Sequence, residues 1–302
     1  MTAPRLGFVG FGEVGFHLAK GFGLPGMVAY DIHTNTPGRG EKIRTRAAEA
    51  GVQLVTTSAD LAAQADVILC VVTALEAGQA AEQTAPYLEP DHLYADMNSV
   101  SPALKVTIGE TISATGAKFV EIAIMGPVPP YGHKVPILSG GPYTKDFDAI
   151  FQPLGMTIET GDPTVGSAAA TKMCRSIVVK GMEALLTECA LGATRYGAQD
   201  RVFASLAETF PGINWKEVAT YMVGRVVVHG ERRAHEMEEV AKTLRSIGID
   251  PIMAEATAKR MAWSATENLK SRFDGKEPES LEAFAAEINK SRQSNLQGGI
   301  NG

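Results

Sequence analysis

Leu6-Gly7-Phe8-Val9-Gly10-Phe11-Gly12-Glu13-Val14-Gly15 decides the fold of this chain. Leu6–Val9 is a short apolar run that reads as a strand. It ends in an unbroken GxGxxG, Gly10 to Gly15, which opens a helix over Glu13–Gly23. The pattern alone is weak, but strand, glycine turn and helix in that order form a dinucleotide-binding fingerprint. Gly10 permits the tight turn, Gly12 lets the backbone approach a pyrophosphate, and Gly15 lets the helix pack on the strand. Free N–H groups at the helix start then face the phosphates. Gly10, Phe11, Gly12, Glu13 and Val14 are therefore candidate cofactor-binding residues.

Working outward, Met27–Tyr30 is a second strand, and it ends at Asp31, about 20 residues after the glycines. An acidic residue there bonds the ribose 2′-OH of NAD and repels the 2′-phosphate of NADP. His33, Arg39, Lys42 and Arg44 follow in the same loop and could meet that phosphate, so NADP stays open while Asp31 favours NAD. Glu41–Ala50 is helical in composition, Val52–Val55 is a third strand, and Ser58 is a candidate cap for a helix over Ala59–Gln64. Val67–Val72 is continuously apolar, as a strand buried on both faces should be. Leu93–Asp96 and Lys118–Ile122 are further strands. The alternation predicts an α/β fold with a doubly wound parallel sheet, the Rossmann type.

The alternation fades after about residue 160. Ser167–Tyr196 has no proline and reads as one very long helix. Trp215–Val228, Glu231–Ile247 and Pro251–Lys270 read as three more, with Gly248 as a C′ residue and Pro251 in a first turn. The expected organisation is a dinucleotide-binding domain over 1–162 and an all-helical domain over 163–302, divided near Asp162–Gly166. The polar, glycine-rich tail from Ser291 is expected to fray.

Composition narrows the function classes. The chain has 302 residues and a formal net charge of −6, so no basic surface advertises nucleic acid. Its three cysteines, Cys70, Cys174 and Cys189, form no CxxC pair and fit neither a zinc site nor a disulfide framework. Thiols without a framework fit a reducing cytoplasm. Neither a signal peptide nor a membrane span is expected, and the histidines show no metal-ligand spacing.

Three further segments matter: Asp96-Met97-Asn98-Ser99-Val100-Ser101-Pro102, Glu121-Ile122-Ala123-Ile124-Met125-Gly126-Pro127, and Gly166-Ser167-Ala168-Ala169-Ala170-Thr171-Lys172. With the glycine turn, their order and spacing resemble the β-hydroxyacid dehydrogenase family over nearly the whole chain. That family includes 3-hydroxyisobutyrate dehydrogenase and is related to 6-phosphogluconate dehydrogenase; the C-terminal half resembles a less characterised branch. The resemblance implies that Lys172 is the catalytic lysine. It places Asn98 and Ser99 beside nicotinamide and substrate, Met125–Gly126–Pro127 in the substrate-carboxylate loop, and Val72 and Thr73 beside the cofactor. The sequence departs from the family pattern in places. Met125 replaces a serine, Pro127 removes an N–H donor, and Ser176 stands where an asparagine is common. These departures imply a substrate bulkier than the smallest hydroxy acids, partly apolar or aromatic.

Hydride transfer needs a proton to move at the alcohol oxygen, and the protein handles it. A lysine can do so when desolvation or nearby cations bring its pKa towards neutrality. Lys172, Ser176 and Lys180 recur every four residues as a polar stripe on an otherwise apolar helix. Lys180 is a candidate substrate contact, or else snorkels or pairs with Glu183. Arg225, His229, Glu231, Arg232, Arg233, His235 and Glu236 form a charged stretch, most of it expected to be a solvated face, with His229 a candidate substrate contact. His133 reads as a loop histidine. The apolar helix Ala168–Ala193 would be costly to leave exposed, which predicts a homodimer through the helical domain. Competing readings are an imine reductase on the same scaffold, whose members generally lack the lysine, and a non-catalytic NAD(P)-binding protein.

Overall fold

The computed structural model describes residues 4–298. The chain divides into two compact units, Met1–Met173 and Cys174–Gly302.

The first unit is built on β1 (Leu6–Val9), α1 (Glu13–Phe22), β2 (Val28–Tyr30), α2 (Arg39–Ala50), β3 (Gln53–Leu54), α3 (Ser58–Gln64), β4 (Val67–Cys70), α4 (Ala77–Thr84), β5 (Leu93–Asp96), α5 (Pro102–Ser113), β6 (Lys118–Ile124), α6 (Val128–Tyr131), β7 (Ile137–Gly140), α7 (Thr144–Phe151) and β8 (Ile158–Thr160). The strands form one eight-stranded sheet in the order β3-β2-β1-β4-β5-β6-β7-β8. Every pairing is parallel except β6 with β7, so the last two strands reverse direction relative to the rest. The order reverses between β1 and β4, the switch point where doubly wound sheets hold their ligands. Alternate residues of each strand feed two cores. Leu6, Phe8, Val67, Leu69, Leu93 and Ala95 pack on one face; Val9, Ile68, Cys70 and Tyr94 pack on the other. Burial on both faces is why these strands read as unbroken apolar runs.

The second unit contains most of α8 (Ser167–Arg195), then α9 (Gln199–Thr209), α10 (Trp215–Ser246), α11 (Ile252–Thr266), α12 (Leu269–Arg272) and α13 (Leu281–Gly298). Leu186, Ala190, Phe203, Val223, Val227, Leu281, Phe284 and Ile288 form its core. Among the described residues no helix is long and apolar enough to cross a membrane.

Several sequence expectations need correction. Thr57, not Ser58, caps α3: its side chain accepts from the Asp60 amide, and Ser58 is the first helical residue. Trp215–Val228 and Glu231–Ile247 are one helix of 32 residues. Gly230, in the gap left between those two expected helices, is the point of close approach between α10 and α11. A Cβ there would sit 2.8 Å from the Met261 carbonyl oxygen and collide with Ser264. Pro251–Lys270 is two helices, interrupted at Asn268, which takes a left-handed conformation. Pro251 caps α11 rather than entering its first turn, and Gly248 is left-handed just beyond α10, as a C′ residue should be. The division falls inside α8, later than the expected loop, because the first turns of that helix are bonded to the sheet. The chain from Ser291 to Gly298 continues α13, and residues 299–302 lie outside the described residues.

Candidate active site

Register sets the frame. Tyr30, Val9, Cys70, Asp96 and Glu121 are successive neighbours in one row across β2, β1, β4, β5 and β6. The segments that leave these five parallel strands carry Asp31, the glycine turn, Val72 and Thr73, Asn98 and Ser99, and Met125–Pro127. The motifs are thus gathered along one edge of the sheet.

The glycine turn has the geometry a pyrophosphate needs. Gly10 takes φ +82°, and a Cβ there would meet Val72 at 2.7 Å. A Cβ on Gly15 would meet the Gly10 carbonyl at 3.2 Å and Val71 at 3.3 Å, so this residue lets α1 lie against the turn. Gly12 is different: a Cβ would meet nothing within 4 Å, which leaves its backbone open to a ligand. Glu13 is exposed at the helix start, Val14 is half-buried and Phe11 is fully buried. Asp31 clasps this turn. Its Oδ2 accepts from the Phe11 amide and its Oδ1 from the His33 amide, both at 2.8 Å. His33 sits 2.9 Å from Arg39 and 3.4 Å from Glu76, while Arg44 donates to the Thr34 carbonyl. Lys42 is exposed. Thr73 donates to Glu76 at 2.9 Å.

Beneath the Asn98 loop lies a network that sequence reasoning missed. Asp96 and Lys105 are 0% and 1% exposed, and the Lys105 ammonium donates to Asp96 Oδ2 at 2.6 Å and to the Asp96 carbonyl at 2.7 Å. The Asn98 side-chain amide donates to Asp96 Oδ1 and to the Cys70 sulfur, the latter at 3.3 Å. Cys70 is core, as expected, and burial pushes its thiol up to about 12. Asn98 Oδ1 is buried and has no hydrogen-bond partner among the described residues. Ser99, the next residue, is exposed. The signal for this network was Asp96 closing an apolar strand nine residues before a lysine on the following helix.

Glu121 is the second missed residue. It is fully buried, and its Oε1 accepts from the amides of Gly166, at 2.7 Å, and Ala168, at 3.0 Å. These are orphan donors at the start of α8. The carboxyl therefore fixes the helix end that carries Lys172. Gly166 also lies close to the start of α5, where a Cβ would be 3.3 Å from the Pro102 carbonyl. Met125, half-buried, packs with Ala123, Leu138 and Ala168, and its amide donates to the Pro136 carbonyl at 2.8 Å. Gly126 is half-buried and Pro127 exposed. His133 is no free loop residue: it packs on Phe22 with centroids 5.5 Å apart, and burial lowers its pKa.

In the helical unit, Ser176 is half-buried on α8. Lys180 is buried and pairs with Glu236 at 2.8 Å, not with Glu183. Glu183 pairs instead with Arg233 at 2.9 Å, and Arg233 is itself buried, so the charged stretch on α10 is not simply a solvated face. His229 is half-buried. A groove of about 620 Å³ in this unit, lined by Asn214, Lys216, Tyr221 and Glu277 among others, contains none of the motif residues; the chemistry of the sheet edge outweighs its size.

A doubly wound Rossmann sheet with an open glycine cradle after its first strand defines a dinucleotide-binding scaffold. The comparisons agree. Residues 5–160 match the family model of the NAD binding domain of 6-phosphogluconate dehydrogenase, and residues 193–264 match a domain of unknown function. An uncharacterised 28.5 kDa protein of Methanothermus fervidus is 30% identical over 253 residues, covering 84% of this chain and 96% of that protein. The crystal structure of a conserved hypothetical protein from Sinorhizobium meliloti has 38% identity and a TM-score of 0.77, covering 87% and 88% of the two chains. A 3-hydroxyisobutyrate dehydrogenase of Mycobacterium tuberculosis shares the fold at 15% identity, with a TM-score of 0.74 over 88% and 95%. An imine reductase of Myxococcus stipitatus shares it more distantly, at 19% identity and a TM-score of 0.56 over 88% and 95%. The chain belongs to the β-hydroxyacid dehydrogenase family, and its first unit carries that family's NAD-binding domain.

Proposed function

We propose that the protein transfers a hydride between NAD and a hydroxy acid or a bulkier, aryl-bearing hydroxy compound, with Lys172 as general acid and base at the alcohol oxygen. The observation that carries this reading is the Glu121 clamp on Gly166 and Ala168, which fixes the start of α8 less than two turns before Lys172. A positioned lysine is what proton transfer requires. NAD would supply the hydride chemistry. Gly10, Phe11, Gly12, Glu13 and Val14 would hold its pyrophosphate, Asp31 its ribose, and Val72, Thr73 and Asn98 its remaining length. Asp31 favours NAD over NADP because a carboxylate repels a 2′-phosphate.

Substrate would contact Asn98, Ser99, Met125, Gly126, Pro127 and Ser176, with Lys180 and His229 as further contacts. Met125 offers an apolar surface where the family has a hydroxyl, which favours bulk over a small acid. Imine reduction is the weaker reading, since Lys172 stands where those enzymes generally lack a lysine. We further propose a cytoplasmic homodimer formed through the helical unit. Val178 and Leu185, seven residues apart on α8, are 62% and 60% exposed, an apolar stripe that a partner helix would cover.

The test is absorbance at 340 nm with a panel of small hydroxy acids and aryl alcohols, with NAD and NADP in parallel. A higher kcat/KM for an aryl-bearing compound with NAD supports the reading. A preference for 3-hydroxyisobutyrate or glycerate over every bulky alcohol contradicts the substrate assignment, and turnover of imines alone contradicts the reaction.

A further inference from the structure

The helical unit holds a knot of charge built by two helices. Lys180 and Glu183 come from α8; Arg225, His229, Arg232, Arg233 and Glu236 come from α10. On α10 these residues fall on neighbouring turns of one side. Glu183 is 1% exposed and feels Arg233, Arg225, Lys180 and Glu236. His229 feels Arg225, Arg232, Arg233 and Lys270 of α12.

Two facts set this knot apart from an ordinary ion-pair network. The first is its charge. Burial first, and then the four cations Arg225, Arg232, Arg233 and Lys270, hold His229 down to about 4, so the imidazole is neutral at neutral pH. Two carboxyls, Glu183 and Glu236, form the ion pairs within the cluster, against Lys180, Arg232 and Arg233, with Arg225 beside them. The second is a set of orphans. Arg225 Nε, Arg233 Nε and Glu183 Oε2 are all buried with no hydrogen-bond partner. Buried polar groups are nearly always satisfied, and three together in one electrostatic cluster call for a guest. The two guanidinium orphans are donors, so the guest is an acceptor, and the excess charge makes it an anion. A carboxylate has two acceptor oxygens, one for each arginine donor, and such charge-assisted hydrogen bonds are the strong ones. Access exists on one side, where Arg232 and Glu236 are 62% and 37% exposed.

We propose that Lys180, Glu183, Arg225, His229 and Arg233 form a binding site inside the helical unit for the carboxylate group of a small organic acid. Arg225 and Arg233 donate to its two oxygens, Lys180 supplies charge, and Glu183 donates to it when protonated. Burial raises Glu183 to about 7, against the opposing pull of Arg233, Arg225 and Lys180 and with the push of Glu236. Glu183 is therefore part protonated at neutral pH, and its proton removes the repulsion an incoming anion would meet. Lys180 and His229 are also the further substrate contacts proposed above, so the site rests on that part of the substrate assignment; the binding test needs no turnover, so its outcome is separate from that of the hydride-transfer reading.

The test is NMR of arginine Nε–H groups in the full chain, titrated with sodium propionate at ionic strength held constant by chloride. Parallel titrations use inorganic phosphate. Two Nε–H signals should move saturably with propionate, one of them absent in Arg225→Gln. That variant should bind about tenfold more weakly, the loss of one charge-assisted hydrogen bond. Among the described residues Arg225 makes a ring contact with Tyr221, at 5.9 Å, and no hydrogen bond or ion pair, so the variant should fold. Propionate affinity should fall as pH rises through about 7 in the wild type and stay flat in Glu183→Gln. Lys216→Gln, an exposed change elsewhere in the unit, should bind as wild type does. Lack of saturation, equal binding by Arg225→Gln, or shifts that chloride reproduces would overturn the proposal. Tighter binding of phosphate than propionate would overturn the carboxylate assignment. Shifts that track protein concentration with no acid added would assign the orphans to a second copy of the chain instead.

Discussion

Glu121 and Gly166 are 45 residues apart in sequence, yet Oε1 of the one accepts the amide of the other at 2.7 Å, and the Ala168 amide joins them at 3.0 Å. A strand of the sheet thus holds the end of the helix that bears Lys172. Replacing Glu121 with leucine strands two buried N–H donors, and each is expected to cost about 1–3 kcal/mol. Glu121→Gln keeps an oxygen acceptor and should lose much less. Chemical denaturation measures both. If Glu121 positions Lys172, kcat should fall further than cofactor affinity in Glu121→Gln.

Gly10 and Gly12 should respond oppositely to alanine. Gly10→Ala places a Cβ 2.7 Å from Val72 at φ +82°, so the melting temperature should drop. Gly12→Ala meets nothing, so stability should hold within about 0.5 kcal/mol. Its methyl group instead enters the path of the pyrophosphate, and NAD affinity by fluorescence titration should weaken about tenfold or more.

The Asp96–Lys105 pair is buried on both sides. Lys105→Met leaves a carboxyl without its partner and should destabilise the chain by about 3–5 kcal/mol. The double change Lys105→Met with Asp96→Leu should recover much of that loss. The double variant should still bind NAD weakly, since Asn98 loses the oxygen that orients its amide.

Stability should depend on pH through two opposing groups. Glu183 is raised from 4.5 to about 7, so the folded chain holds a proton that the unfolded chain releases. Its contribution is full below about 4.5 and is lost as pH rises to about 7. His229 is lowered from 6.5 to about 4, so the unfolded chain takes up a proton that the folded chain refuses. Its contribution is lost as pH falls from 6.5 towards 4. The two offset each other between about 4.5 and 6.5. Glu183→Gln removes one, so its melting temperature should fall more steeply than the wild type's as pH drops through that window. Parallel curves would contradict the opposition. The His229 ring proton, followed by NMR, should show no titration above pH 5.

What was legible in the sequence followed from local pattern. Gly10 to Gly15 specified its turn, and Leu93–Asp96 its strand, because adjacent residues carry that information. Ser167–Arg195 was legible because nothing breaks it. What escaped depends on distant partners. Glu121 stood alone in the apolar run Phe119–Ile124, and only the fold shows that helix amides meet it. The continuity of α10 between Val228 and Glu231 was not legible, because the reason for glycine at 230, the approach of α11, is 31 residues away at Met261. β7 is buried but its last two residues are Ser139 and Gly140, and β8 is three residues long and mostly exposed at the sheet edge, so neither carries the apolar run of a central strand. Leu281, Phe284, Ala285 and Ile288 did recur at helical spacing and were open to being read as α13.

The central claim is that Lys172 handles the proton during hydride transfer. Its most direct test is the single-turnover rate of NADH formation in wild type and Lys172→Ala, with NAD affinity measured on the same samples. The account expects the rate to fall by about 10²–10⁴ while NAD binds as before. Turnover in Lys172→Ala within a fewfold of wild type would contradict it.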